Sequence, residues 1–244
     1  NDNFNHHMLR PDRGMSQLKI VLLGGRNSGK SSVGNLLLGK EEFVTRERTS
    51  CSRRLGVVAG RWLTVVDTPG WWCDFSAQDT SELVKREIIS SVSLCPPGPH
   101  AFLITVKASS AFSEKRRRAV EEHVALLGEK VWGHCMVVFT SADGGQYIES
   151  EGGPLHWLLE RCGNRYHVLN NKTKGDGFQV RELIGKIEEM LTGGNSYQYY
   201  EIEKSVMEQL EVKMRAEKER AEERLKRKEN RRQMARSQLG ELTK

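Results

Sequence analysis

The chain has 244 residues, 37% hydrophobic and 29% charged, with 38 Lys and Arg against 32 Asp and Glu. That length suits one domain of about 150–200 residues plus an appendage, and an apolar share below the ~45–50% usual for globular chains, a figure that counts Gly, points to a polar segment diluting an ordinary core. The net charge of +6 divides into +3 on each part: residues 201–244 hold 13 basic and 10 acidic side chains, leaving 25 and 22 in the first 200, so composition gives the main body no basic face, and nucleic acid is not an expected partner.

Residues 1–16 contain no apolar run and are expected to form a disordered leader rather than a secretory signal. No stretch reaches the ~18–20 apolar residues of a membrane span. The five cysteines form no C-x-x-C pair, which suits a reducing, cytosolic compartment. The first apolar run, Leu18–Leu23, ends at Gly24-Gly25 and predicts a buried strand. A helix follows to Leu38 with Gly39 as its C-cap, then a polar loop over 40–52. Leu55–Ala59 and Trp62–Val66, split by Gly60-Arg61, predict a hairpin. Further on come a helix over Ser81–Leu94, a strand at His100–Val106, a helix at Ser113–Leu127 and a strand at His134–Thr140. A helix at Gly153–Arg161, a short strand at Tyr166–Leu169 and an amphipathic helix at Val180–Leu191 complete the series. Strands alternating with helices imply βαβ units: an α/β, three-layer fold with a mainly parallel central sheet over 17–192. From Tyr197 the chain has no Pro and one Gly, which predicts a long charged helix, a weak coiled coil, filling the extension 193–244.

Gly24-Gly25-Arg26-Asn27-Ser28-Gly29-Lys30-Ser31 fits G-x-x-x-x-G-K-[ST] between a strand and a helix, the setting a P-loop requires. In such a loop Gly24, Arg26, Asn27, Ser28 and Gly29 present backbone N–H groups to phosphates at a helix N-terminus. Lys30 reaches the β/γ-phosphates, Ser31 ligates Mg²⁺ and Ser32 lies near the α-phosphate. Asp67-Thr68-Pro69-Gly70 ends a strand 37 residues after Lys30. There Asp67 would hold Mg²⁺ through water and the Gly70 N–H would sense a γ-phosphate. G-x-G-x-x-G is absent, so a nucleoside triphosphatase is favoured over a dinucleotide binder.

G-G-R-N-S-G-K-S-S-V-G-N-L-L-L-G at 24–39, V-V-D-T-P-G-W-W at 65–72 and R-Y-H-V-L-N-N-K at 165–172 resemble the GTPases of the immunity-associated protein family (GIMAP, with an AIG-type G domain), in the septin-related group of G proteins. The resemblance implies that GTP or GDP is the bound nucleotide and places base recognition after the 134–140 strand. Most small G proteins carry N-K-x-D there; this chain has Thr140-Ser141-Ala142-Asp143. Asp143 would accept from guanine's ring N–H and exocyclic amine, a donor pair adenine lacks, although before Gly144-Gly145 it equally suits a plain turn. Thr140 replaces the Asn, and no Lys stem covers the base. Asn170 and Asn171 follow the next strand, where the family reads the base again. Of the loop threonines Thr45 and Thr49, Thr49 matches the family's Mg²⁺-binding threonine before Cys51.

Trp71-Trp72 stand directly after Gly70, where many G proteins carry a water-positioning Gln. Hydrolysis is therefore expected to be slow unless a second protomer or a partner supplies a group, with Arg26, Arg46 and Arg48 as candidates. The expected behaviour is a GTP/GDP switch that self-associates in its GTP state, the switch loops being the natural contact surface. Two other readings compete: a P-loop ATPase or kinase, suggested by the altered N-K-x-D element, and a scaffold without turnover. In the tail, seven basic residues against Glu229 over 224–236 suit a peripheral membrane surface, a protein partner or a solvated helix. The tail's first residues, Tyr197, Tyr199, Tyr200, Ile202, Val206 and Leu210, offer a docking face.

Overall fold

The computed structural model describes residues 17–44, 48–72, 74–140, 144–169, 177–193 and 198–243. Six strands form one sheet: β1 (Gln17–Gly24), β2 (Ser52–Val58), β3 (Arg61–Asp67), β4 (Ala101–Lys107), β5 (Cys135–Thr140) and β6 (Tyr166–Leu169). Their spatial order is β2-β3-β1-β4-β5-β6. β2 and β3 form the expected antiparallel hairpin, and every other pairing is parallel. The central strands are apolar almost without break because helices cover both faces.

Seven α-helices occur among the described residues: α1 (Lys30–Leu38), α2 (Glu82–Ser90), α3 (Glu114–Ala125), α4 (Gly144–Ser150), α5 (Gly153–Arg161), α6 (Phe178–Gly193) and α7 (Lys204–Leu242). On one face Leu18, Ile20 and Leu22 of β1 join Val33 and Leu37 of α1 and Leu183 and Ile187 of α6 in a single apolar layer. Each such Leu or Ile side chain taken out of water contributes roughly 1.5–3 kcal/mol. Gly39 ends α1 in the left-handed conformation, donating its N–H to the Asn35 and Leu36 carbonyls. The outcome is the three-layer α/β P-loop fold.

Local readings change in four places. The helix expected over 81–94 is α-helical only to Ser90 and tightens to a 3₁₀ turn over Ser91–Leu94. α4 begins on a Gly pair that reads as a turn, and a 3₁₀ turn forms at Glu129–His134. The tail helix starts at Lys204 rather than Tyr197, and residues 198–203 are not helical. The cause is Tyr200, whose N–H donates to the Pro99 carbonyl at 2.7 Å and whose hydroxyl donates to the Leu127 carbonyl. Its ring stands edge-on to Phe102 at 5.5 Å and against His134 at 5.4 Å.

The chain divides into two compact units at Ile202/Glu203. α7, within the second, is polar and exposed along nearly its whole length and carries the i,i+4 pairs Lys204–Glu208 and Arg227–Glu223, both at 3.8 Å. The basic run over 224–236 is exposed throughout. Among the described residues no helix is long and apolar enough to cross a membrane.

Candidate functional site

The P-loop is the turn between β1 and α1, at the carboxyl end of the parallel strands where open α/β sheets hold ligands. Gly29 has φ +91°, a conformation that disfavours any side chain. A Cβ there would also stand 3.0 Å from Thr140. Gly29 provides no side-chain cap, and α1 has no acidic residue in its first turn. The first-turn N–H groups are thus left for an anion. Asn27 is exposed at φ +62°, and Ser32 is exposed one residue past Ser31.

Two threonines on neighbouring strands brace the loop. The Thr140 hydroxyl donates to the Ser28 carbonyl at 2.8 Å, so this residue, expected beside the base, is spent on the P-loop backbone. The Thr105 hydroxyl donates to the Leu23 carbonyl at 3.2 Å and pairs with the Ser28 hydroxyl at 2.6 Å. That pair packs so closely over Gly24 that a side chain there would collide with both hydroxyls. No motif pointed to Thr105; its partners lie 77 and 82 residues away in sequence.

Lys30, Ser31 and Asp67 converge. Ser31 donates its hydroxyl to Asp67 Oδ2 at 2.6 Å, and Lys30 Nζ lies 3.5 Å from Asp67 Oδ1. Asp67 is 3% exposed, and its Oδ1 is buried without a hydrogen-bond partner. A buried carboxylate oxygen that lacks a donor is costly. It is also a hard-oxygen acceptor that suits a divalent cation, with the Ser31 hydroxyl beside it as a second oxygen. The residues therefore fit Mg²⁺. The Thr68 hydroxyl donates to the Leu22 carbonyl at 2.6 Å and ties the turn after β3 back to β1.

The turn beyond Gly70 lies directly on the P-loop. The Arg26 N–H donates to the Trp71 carbonyl at 2.6 Å, Gly25 and Trp71 form a parallel bridge, and Arg26 Nε donates to the Gly70 carbonyl at 3.4 Å. The Arg26 guanidinium sits 4.4 Å over the Trp72 ring. Trp71, in contrast, is buried and stacks face to face on His123 of α3 at 4.5 Å and 8°. Burial holds the His123 pKa below its ordinary value, outweighing the bond to Ala119. The neutral ring donates from Nδ1 to the Ala119 carbonyl at 2.6 Å and accepts at Nε2 from the Thr80 hydroxyl at 2.6 Å. His123 therefore anchors both ends of the 71–80 segment; in the sequence it reads as one more interior helix position.

Thr49 is exposed on the loop before β2. Arg48 is engaged within that loop, donating to the Val44 carbonyl at 3.0 Å and to the Ser52 hydroxyl. Thr45, Arg46, Asp143, Asn170 and Asn171, as well as the leader 1–16, lie outside the described residues.

Comparison with known proteins agrees with this layout. The AIG1 family profile matches residues 18–219. Among curated relatives, immune-associated nucleotide-binding protein 10 of Arabidopsis thaliana is 29% identical over 81% of this chain and 46% of its own length. Immune-associated nucleotide-binding protein 5 of the same organism is 31% identical over 72% of this chain and 62% of its own length. GTPase IMAP family member 8 of Homo sapiens is 32% identical over 75% of this chain and 29% of its own length. The chain thus spans less than two thirds of the length of each of these relatives. The crystal structure of Toc33 from Arabidopsis thaliana in complex with GDP and Mg²⁺ shares the fold, with a TM-score of 0.58 and 15% identity over 78% of this chain and 89% of that one. A family match that starts at the first buried residue of β1 and runs into α7 takes in the whole sheet and every helix along it: the chain belongs to the AIG1 family.

Proposed function

We propose that the chain binds GDP and GTP with Mg²⁺ and works as a nucleotide-state switch whose own hydrolysis is slow. The observation that carries this reading is Asp67 Oδ1, buried without a hydrogen bond and ion-paired only loosely with Lys30, beside Ser31 at the mouth of an uncapped helix. Lys30 would hold the β/γ-phosphates as a point charge, while the P-loop N–H groups other than those of Arg26 and Ser28, which are spent on the Trp71 and Gly25 carbonyls, orient them. Ser31 and Asp67 would hold Mg²⁺, joined by Thr49 when the loop before β2 closes in the triphosphate state. When bound, the cation neutralises charge on the β- and γ-oxygens. Names among the relatives, a GTPase and several nucleotide-binding proteins, support the same class, as does Toc33, solved with GDP and Mg²⁺ and with GMPPNP and Mg²⁺.

Slow turnover follows from Trp71. An indole that is buried and stacked on His123 presents no group that can orient a water beside a terminal phosphate. Arg26 and Arg48 are held within their own chain, so hydrolysis calls for a group delivered from elsewhere. Base preference rests on Asp143, Asn170 and Asn171. Titration with fluorescent GDP and ADP tests it: GDP is expected to bind at least tenfold more tightly, because adenine leaves the Asp143 carboxylate without its donor pair. Equal affinities would favour an ATP-dependent activity.

With slow hydrolysis, output depends on which nucleotide is bound. The loops that contact the γ-phosphate become the surface that changes, and self-association through them is the proposed response. A link between dimerisation and GTPase activity is stated for the related fold of atToc33. Sedimentation at tens of micromolar is expected to give a dimer or larger species with GMPPNP and a monomer with GDP; identical profiles would remove the response. The exposed basic run of α7 would meet an anionic partner or membrane surface, and the proposed organisation is a G domain followed by the helical extension α7.

A further inference from the structure

We propose that Arg26 is a specificity-determining residue of this pocket, favouring a diphosphate over a triphosphate by latching the Gly70–Trp72 segment onto the P-loop. The inference rests on the guanine-nucleotide reading above. Three contacts form the latch: the Arg26 N–H on the Trp71 carbonyl at 2.6 Å, Arg26 Nε on the Gly70 carbonyl at 3.4 Å, and the guanidinium 4.4 Å over the Trp72 ring. The two backbones touch. A Cβ on Gly70 would stand 2.9 Å from the Arg26 nitrogen and 3.1 Å from its Cα. No further group fits there without parting the two backbones.

A terminal phosphate that contacts both Lys30 and the Gly70 N–H has to enter at this seam. The β-phosphate of a diphosphate stops short of it. Opening the latch is therefore a cost borne by the triphosphate alone, and a ligand shifts an equilibrium only by its differential interaction with the two states. The latch also has an anchored side and a free side. Trp71 is held by His123, whereas Trp72 is 50% exposed and has Arg26 and Phe75, the latter at 6.1 Å, as its ring contacts. The Arg26–Trp72 stack is the part that can part without uncovering core. A cation over an exposed indole shifts an equilibrium by about threefold.

The test uses the full chain and compares dissociation constants for fluorescently labelled GMPPNP and GDP in the presence of Mg²⁺. Trp72→Ala removes the stack and leaves the Arg26 charge in place, so the GMPPNP-to-GDP ratio is expected to fall about threefold. Trp72→Phe keeps a ring face and is expected to retain most of the original ratio. Arg26→Ala should lower the ratio at least as far as Trp72→Ala. If both nucleotides bind and the ratio is unmoved in Trp72→Ala, the latch is wrong. A ratio that rises in Arg26→Ala overturns it too, since Arg26 would then be a ligand of the terminal phosphate. Failure of the unaltered chain to bind either nucleotide defeats the underlying reading instead.

Discussion

Lys30→Ala is expected to weaken GDP binding about a hundredfold. The residue is 9% exposed, and its ammonium stands 3.5 Å from a carboxylate oxygen that offers it no hydrogen bond. A nucleotide phosphate would give that ammonium charge-assisted hydrogen bonds, each contributing ~1.5–3 kcal/mol. Thermal unfolding offers a second readout. At a GDP concentration a hundred times its dissociation constant, the unaltered chain gains ~2.7 kcal/mol, roughly 5–10 °C for a unit of this size. At that same concentration Lys30→Ala should gain only about 0.4 kcal/mol, because the ligand then barely matches its weakened dissociation constant. Far-ultraviolet circular dichroism checks that the variant is folded. Binding within threefold of the unaltered chain would remove Lys30 from the phosphate site.

The P-loop was legible because its chemistry is local. Eight consecutive residues carry the turn, the lysine and the serine, and the flanking strand and helix have apolar patterns of the right length. Asp67 was legible for a related reason: a carboxylate ending an apolar run sits at a strand's C-terminal end, where this sheet gathers its loops. The braces were not. Thr105, Thr140 and His123 act on residues 43 to 112 positions away, and neither a periodicity nor a spacing rule connects a strand hydroxyl to a distant carbonyl. Trp71-Trp72 illustrates the boundary. Their sequence position ruled out a glutamine-like role, yet only the fold separates them into one ring buried on His123 and one lying under Arg26. The tail shows the same boundary: in sequence its aromatic and apolar residues suit the start of a helix, while the partners of Tyr200 arrive from β4, the residues just past α3 and the turn before β5.

Tyr200 is where the tail bears on stability. Tyr200→Ala is expected to lower the melting temperature of the first unit by about 10 °C. Tyr200 is 3% exposed, and an aromatic residue truncated to alanine at such a site costs ~3–5 kcal/mol, with each kcal/mol worth about 2–4 °C in a unit of this length. Tyr200→Phe separates ring from hydroxyl. It keeps the edge contacts to Phe102 and His134 but strands the Leu127 carbonyl, a loss of ~1–2 kcal/mol. Tryptophan fluorescence is the appropriate probe, since Trp62, Trp71, Trp72, Trp132 and Trp157 all lie before Ile202 and so report the first unit alone. An unchanged midpoint in Tyr200→Ala would mean that the segment rests on the domain without holding it. The expected graded loss would mean that residues 198–202 are a structural part of the nucleotide domain, because their anchor completes the same apolar layer as Phe102 on the strand next to β1.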